Sequence, residues 1–157
     1  VFLFAMGFAD GPWGVVPGGS FAETSQPAPA DWSFAKELDT VEFQLEEPVS
    51  SRTSWIMEHD NRIFIPSGYM NSTVGKIWKH WPMHAEKNGD ALLRIDGQVF
   101  EVRMQRTKEA DVLTPILSEL ARKYMGAVPP IDDEVLAGMH QQVSSNNLWV
   151  FELVGRS

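Results

Sequence analysis

The sequence predicts a mainly β, α+β fold: a six-stranded antiparallel barrel with short helices covering its ends. Three observations predict it. Runs such as "TVEFQLE" alternate apolar and polar residues, the pattern of a half-buried strand. Two pairs of such runs meet at hairpin signals, Asp60-Asn61 and Asp96-Gly97. After Arg106 the apolar period changes from two to about 3.6, which is helical spacing. Short strands joined by hairpins leave open sheet edges, and closure into a barrel removes them.

The elements follow in order. Residues 1–30 form an arm, and 31–157 form the barrel domain. The arm opens with "VFLFAMGFA", nine uncharged residues. A bilayer span needs about 20, so this stretch reads either as the remnant of a membrane anchor or signal segment, or as an apolar tail packed on the domain. Gly11 to Ala30 is punctuated by glycine and proline, which excludes a long helix or central strand. It reads as an irregular extended arm anchored by Trp13 and Phe21. Asp31 or Ser33 then caps a single helical turn.

Val41, Phe43 and Leu45 give the first strand its apolar face, and Pro48 ends it. "RTSWIMEH" and "RIFIP" are the next two strands. "GKIWKHWPMHAEKNG" is a short helix stopped near Pro82. "DALLRI" and "QVFEVRMQRT" make the second hairpin. Leu113, Ile116, Leu117, Leu120, Ala121 and Tyr124 share one helical face. Thr114 followed by Pro115 reads as that helix's start and Gly126 as its stop. "IDDEVLAGMHQQV" is a second helix, with Asp132, Asp133 and Glu134 near its positive end. "NLWVFELVGR" is the last strand.

Composition limits the function. The chain of 157 residues carries a net charge of −8, which argues against a nucleic-acid partner. It has no cysteine, so disulfides, cysteine metal ligands and cysteine nucleophiles are excluded. No nucleophile-elbow motif surrounds a serine. His80 and His84 have i, i+4 spacing, but Pro82 disturbs the helix between them and no HExxH pattern accompanies them. No metal site is assigned.

The candidate site lies between Ser50 and Trp81. Strand alternation puts Arg52, Ser54 and Ile56 on one face, and Thr53, Trp55 and Met57 on the other. Pro66, Ser67 and Gly68 end the following strand. Lys76 stands at the start of the short helix, where a cation is unfavourable unless an anion is near. Helix-start amides with Lys76 and Arg52 would cradle a phosphate. Trp55, Trp78 and Trp81 offer flat surfaces to a planar ring. Arg94, Arg103 and Arg106 read as solvent-facing strand charges. Arg122 and Lys123 read as cations placed favourably at a helix end.

In order along the chain, "SRTSWI", "RIFIPSGY", "GKIW", "DALLRIDGQVFEVRM", "ARKYM" and "LWVFEL" resemble the FMN-binding split β-barrel superfamily, the pyridoxamine 5′-phosphate oxidase-like proteins. The likeness runs from about Thr40 to Arg156. "GPWGVVPGGSF" and "DWSFA" further resemble a bacterial subgroup in which an N-terminal hydrophobic segment precedes the barrel. The resemblance implies a six-stranded split barrel, a homodimer, and FMN in a groove at the interface. It implies phosphate contacts from Arg52 and Lys76, and an isoalloxazine lined by the backbones of Trp55, Ile56, Pro66 and Ser67. Ser54 and Trp78 complete the expected cofactor set. The sequence departs from the oxidase proper: "VGK" offers one cation where two are usual, and no pyridoxal-phosphate substrate motif is present. Two readings follow. One is an FMN-dependent oxidoreductase of unassigned substrate, with deazaflavin or haem as alternative ligands. The other is a non-catalytic accessory subunit of a membrane complex. The location is correspondingly either a membrane-anchored, extracytoplasmic domain or the bacterial cytoplasm.

Overall fold

The computed structural model describes residues 20–46, 49–68 and 80–156. Eight strands occur among them: β1 (Ser25–Pro27), β2 (Val41–Glu46), β3 (Val49–Ser54), β4 (Met57–His59), β5 (Arg62–Ser67), β6 (Asp90–Ile95), β7 (Gln98–Thr107) and β8 (Trp149–Gly155). Three helices accompany them: α1 (Trp81–Lys87), α2 (Ala110–Tyr124) and α3 (Asp133–Ser144). A 3-10 turn at Ser33–Ala35 precedes β2. The Asp31 carboxylate accepts a hydrogen bond from the Ser33 amide at 2.8 Å, although the cap position itself falls to Trp32, which makes no side-chain cap bond, rather than to Asp31 or Ser33 as expected. None of the helices among the described residues is long and apolar enough to cross a membrane.

The strands form one sheet in the order β3-β2-β6-β7-β8-β5-β4, with β1 added in parallel alongside β7. The order explains closure. Its two edges, β3 and β4, are consecutive pieces of one stretch separated only by Trp55 and Ile56. The first piece pairs with β2 and the second with β5. One stretch of chain therefore borders both ends of the sheet and curls it into a barrel.

The α+β barrel is thus as expected, but eight strands replace six, for two physical reasons. The sequence makes "RTSWIMEH" one strand because its alternation never breaks, yet the chain changes partner in its middle. The end of the arm also contributes β1, which Pro27 permits because a sheet-edge position needs no N–H donor there.

Both hairpin turns form where expected. Asp60 and Asn61 have φ of 52° and 65°, and Asp96 and Gly97 have 51° and 77°. These left-handed pairs match the right-handed twist of the strands they join. The prolines behave differently from expectation. Pro82 lies in the first turn of α1 rather than stopping a helix. First-turn N–H groups have no acceptor within the helix, so proline is tolerated there. Helix α2 begins at Ala110, before Thr114, and carries Pro115 inside it. The Thr114 hydroxyl donates back to the Ala110 carbonyl at 3.0 Å instead of capping. The upstream turn buries Leu113 with Ile116 and Leu117. Burying a leucine is worth about 1.5–3 kcal/mol, comparable with the roughly 3 kcal/mol cost of an interior proline.

Two apolar cores result. Phe43, Leu45, Ile63, Ile65, Leu93, Phe151 and Leu153 fill the barrel, with Trp81 of α1 among them. Phe64, Met57 and Val150 face outward and meet Leu113, Ile116, Leu117, Leu120, Met139 and Val143 of α2 and α3. This second layer explains the unbroken apolar run "IFI" in β5: both faces of that strand are covered. Gly89 lets α1 run tightly into β6. Its carbonyl accepts from the Met104 amide at 2.7 Å, and a Cβ there would collide with the Met104 carbonyl oxygen.

Candidate functional site

Alternation continues through the crossover. In the β2–β3 ladder Phe43 stands opposite Arg52 and Val41 opposite Ser54. Directly opposed residues share a face, so Arg52 and Ser54 lie on the face that Phe43 and Val41 turn to the barrel core. Ile56 continues this stripe into that core, while Trp55 and Met57 belong to the helix layer. Ser54 is 1% exposed, and its hydroxyl oxygen has no hydrogen-bond partner among the described residues. Buried polar atoms are rarely left so, and an exception points to a missing water, ion or ligand.

Ile56 has a different duty. Its amide donates to the Tyr124 hydroxyl at 3.0 Å. That hydroxyl's proton is shared between the carbonyls of Asp39 at 2.8 Å and Ile56 at 3.0 Å. Lys123 Nζ donates to the Ile56 carbonyl at 2.7 Å and the Leu38 carbonyl at 2.6 Å. Two adjacent side chains on the last turn of α2 thus hold the crossover. Burial pushes the Tyr124 phenol up to about 12 and lowers the Lys123 amine below its ordinary range.

The Trp55 ring stacks on Tyr124 within the helix layer. Pro66 and Ser67 are buried at the end of β5, opposite Val150 and Trp149. Lys76 and Trp78 lie outside the described residues. The structure therefore joins Arg52, Ser54 and Ile56 in one stripe, and ties the Ile56 backbone to α2. Among the described residues no group of three or more metal-ligating His, Asp or Glu side chains occurs.

Two readings of charged residues change. Lys123 is a main-chain clamp rather than only a cation at a helix end. Arg106 is not a solvated strand charge: its side chain is 10% exposed. Its guanidinium lies 3.5 Å from the Trp149 ring centroid and bonds Glu86 and Asn146 at 2.9 Å each. Arg94 and Arg103 are paired as well, with Glu42 and Glu23, and with Asp90.

Comparison of sequences matches no family model and no curated protein. Comparison of structures does find relatives in shape. A conserved hypothetical protein of Mycobacterium tuberculosis, Rv2991, superposes with a TM-score of 0.55 at 13% identity, covering 86% of this chain and 87% of that one. At that identity the likeness is one of fold. The strand order, the shared closing segment and the outer helix layer make the split barrel that the residue pattern resembles. A putative pyridoxamine 5′-phosphate oxidase from Listeria innocua gives a TM-score of 0.45 at 10% identity, covering 75% of this chain and 83% of that one.

Proposed function

We propose that this chain is a flavin-binding split-barrel protein that holds FMN by its phosphate at the Arg52 face. The observation that carries the reading is the buried Ser54 hydroxyl, without a hydrogen-bond partner among the described residues, on the same strand face as Arg52. A guanidinium and a hydroxyl donor on one strand face are a donor set suited to a phosphate monoester. Lys76 joins them in this reading as the second cation. Ser67, buried at the end of β5, lines the ring end of the site.

The residues fit the phosphate end of the cofactor better than the ring end. Trp55 is committed to Tyr124, and the amide and carbonyl of Ile56 are already bonded. When bound, a flavin supplies hydride or one-electron chemistry. The chain's own part is to bind the phosphate, orient the cofactor and hold the crossover still. A second copy that completes the groove, as the resemblance implies, belongs to the same proposal, and mass in solution tests it.

Reconstitution tests the cofactor. The protein is mixed with excess FMN, freed of unbound ligand, and its visible spectrum recorded. Retained flavin absorbance supports the reading. A colourless protein that leaves the fluorescence of added FMN unchanged contradicts it.

A further inference from the structure

We propose that Lys123 and Tyr124 are positioning residues for the ligand face of Arg52 and Ser54; the proposal rests on reading that face as a phosphate site. The geometry that carries it is convergence. The carbonyls of Leu38, Asp39 and Ile56 and the amide of Ile56 all bond to these two side chains. Leu38 and Asp39 lead into β2, and Ile56 leads out of β3. Between them lies the Val41–Ser54 pair, and two residues further on the same face lies the Phe43–Arg52 pair. The clamp therefore grips both strands at the end of the ladder that carries the candidate ligand contacts.

Anchoring of the helix does not require this arrangement. Helix α2 is already fixed through Leu113, Ile116, Leu117, Leu120 and Ala121. Apolar side chains at 123 and 124 would fill volume. An amine and a hydroxyl aimed at four main-chain groups instead fix a position, since hydrogen bonds weaken steeply with distance and angle. Beyond the clamp the chain crosses to β5, so nothing in the ladder continues past Ser54 to hold it. Loosening the crossover would let Ser54 and then Arg52 drift from the geometry a phosphate needs. An error of about 1 Å in a binding group is enough to matter.

The experiment compares Lys123→Met and Tyr124→Phe with Val143→Ala. Val143 is buried in the helix layer and makes no bond to the crossover, so its variant controls for lost stability alone. Amide exchange from Thr53 to Met57 and FMN titration are both measured, with thermal melts to match stabilities. The clamp variants should speed exchange at Ser54 and Ile56 and weaken FMN binding, each by about tenfold. Val143→Ala should leave FMN affinity within about twofold of the wild type. Equal effects of the clamp variants and the control, on either readout, would overturn the proposal. A wild type that takes up no FMN would instead sink the phosphate reading, and the exchange comparison would still decide whether the clamp holds this face.

Discussion

The rings of Trp55 and Tyr124 lie face to face, with centroids 4.4 Å apart and planes 4° from parallel. The same tyrosine bonds the amide and carbonyl of Ile56. One residue of α2 therefore holds two successive residues of the crossover, the first by its side chain and the second by its backbone. At this point the chain leaves β2 for β5, so the contact lies where the barrel closes.

Tyr124→Phe should keep the stack and lose the hydroxyl. The Ile56 amide and the Asp39 carbonyl then lose their partner. Asp39 is exposed and water can replace its partner, but Ile56 is buried, and leaving a buried main-chain amide unsatisfied costs about 1–3 kcal/mol. A denaturant melt should show that loss with an unchanged m-value. A loss below about 0.5 kcal/mol would mean that water replaces the hydroxyl freely.

The same residue predicts an alkaline signature. The phenol titrates near 10 in an unfolded chain and at about 12 here. Because the folded value is the higher, its contribution is fully present below about pH 10 and fades as the pH rises to 12. Lys123 acts with opposite sign: its lowered value makes folding less costly as the pH climbs toward about 10.4, where the free amine also loses its proton. Between pH 10 and 12 the wild type should therefore lose more stability than Tyr124→Phe. Parallel stability curves for the two proteins would contradict the assignment.

Gly89→Ala should destabilise the barrel without touching the candidate site. The new Cβ meets backbone, the Met104 carbonyl, which cannot swing aside as a side chain would. Overpacking of this kind costs about 1–3 kcal/mol. Thermal melts check it, and a variant as stable as the wild type would show that the α1–β6 junction relaxes easily.

Arg106→Lys tests whether the guanidinium is held by shape or only by charge. Lysine keeps the charge, but it cannot lie flat on Trp149 while reaching both Glu86 and Asn146. The expected loss is about 1–2 kcal/mol. A neutral result would reduce the site to simple ion pairing.

Much of this fold was legible in the residues. Asp60-Asn61 and Asp96-Gly97 announced their turns because few residue types tolerate positive φ. The Arg52, Ser54 and Ile56 stripe was legible because strand alternation is local. The crossover was not, for the same reason: alternation runs unbroken through Trp55 and Ile56 while the hydrogen-bonding partner changes, and partners are set by the tertiary structure. Pro82 and Pro115 misled because one residue type marks both starts and stops of helices. Lys123 had a sufficient local explanation at a helix end, so its clamp role left no separate mark in the sequence. Tyr124 was placed on the correct helical face, but its hydroxyl's partners lie 85 and 68 residues away.

The most direct test of the central claim compares FMN with riboflavin, which lacks only the phosphate. If Arg52 binds that phosphate, the wild type should prefer FMN, and Arg52→Gln should lose most of the preference. One charge-assisted bond is worth about 1.5–3 kcal/mol, so FMN affinity should fall roughly 10- to 150-fold while riboflavin affinity barely moves. Equal affinity of the wild type for the two flavins, or a preference that survives Arg52→Gln, would contradict the account.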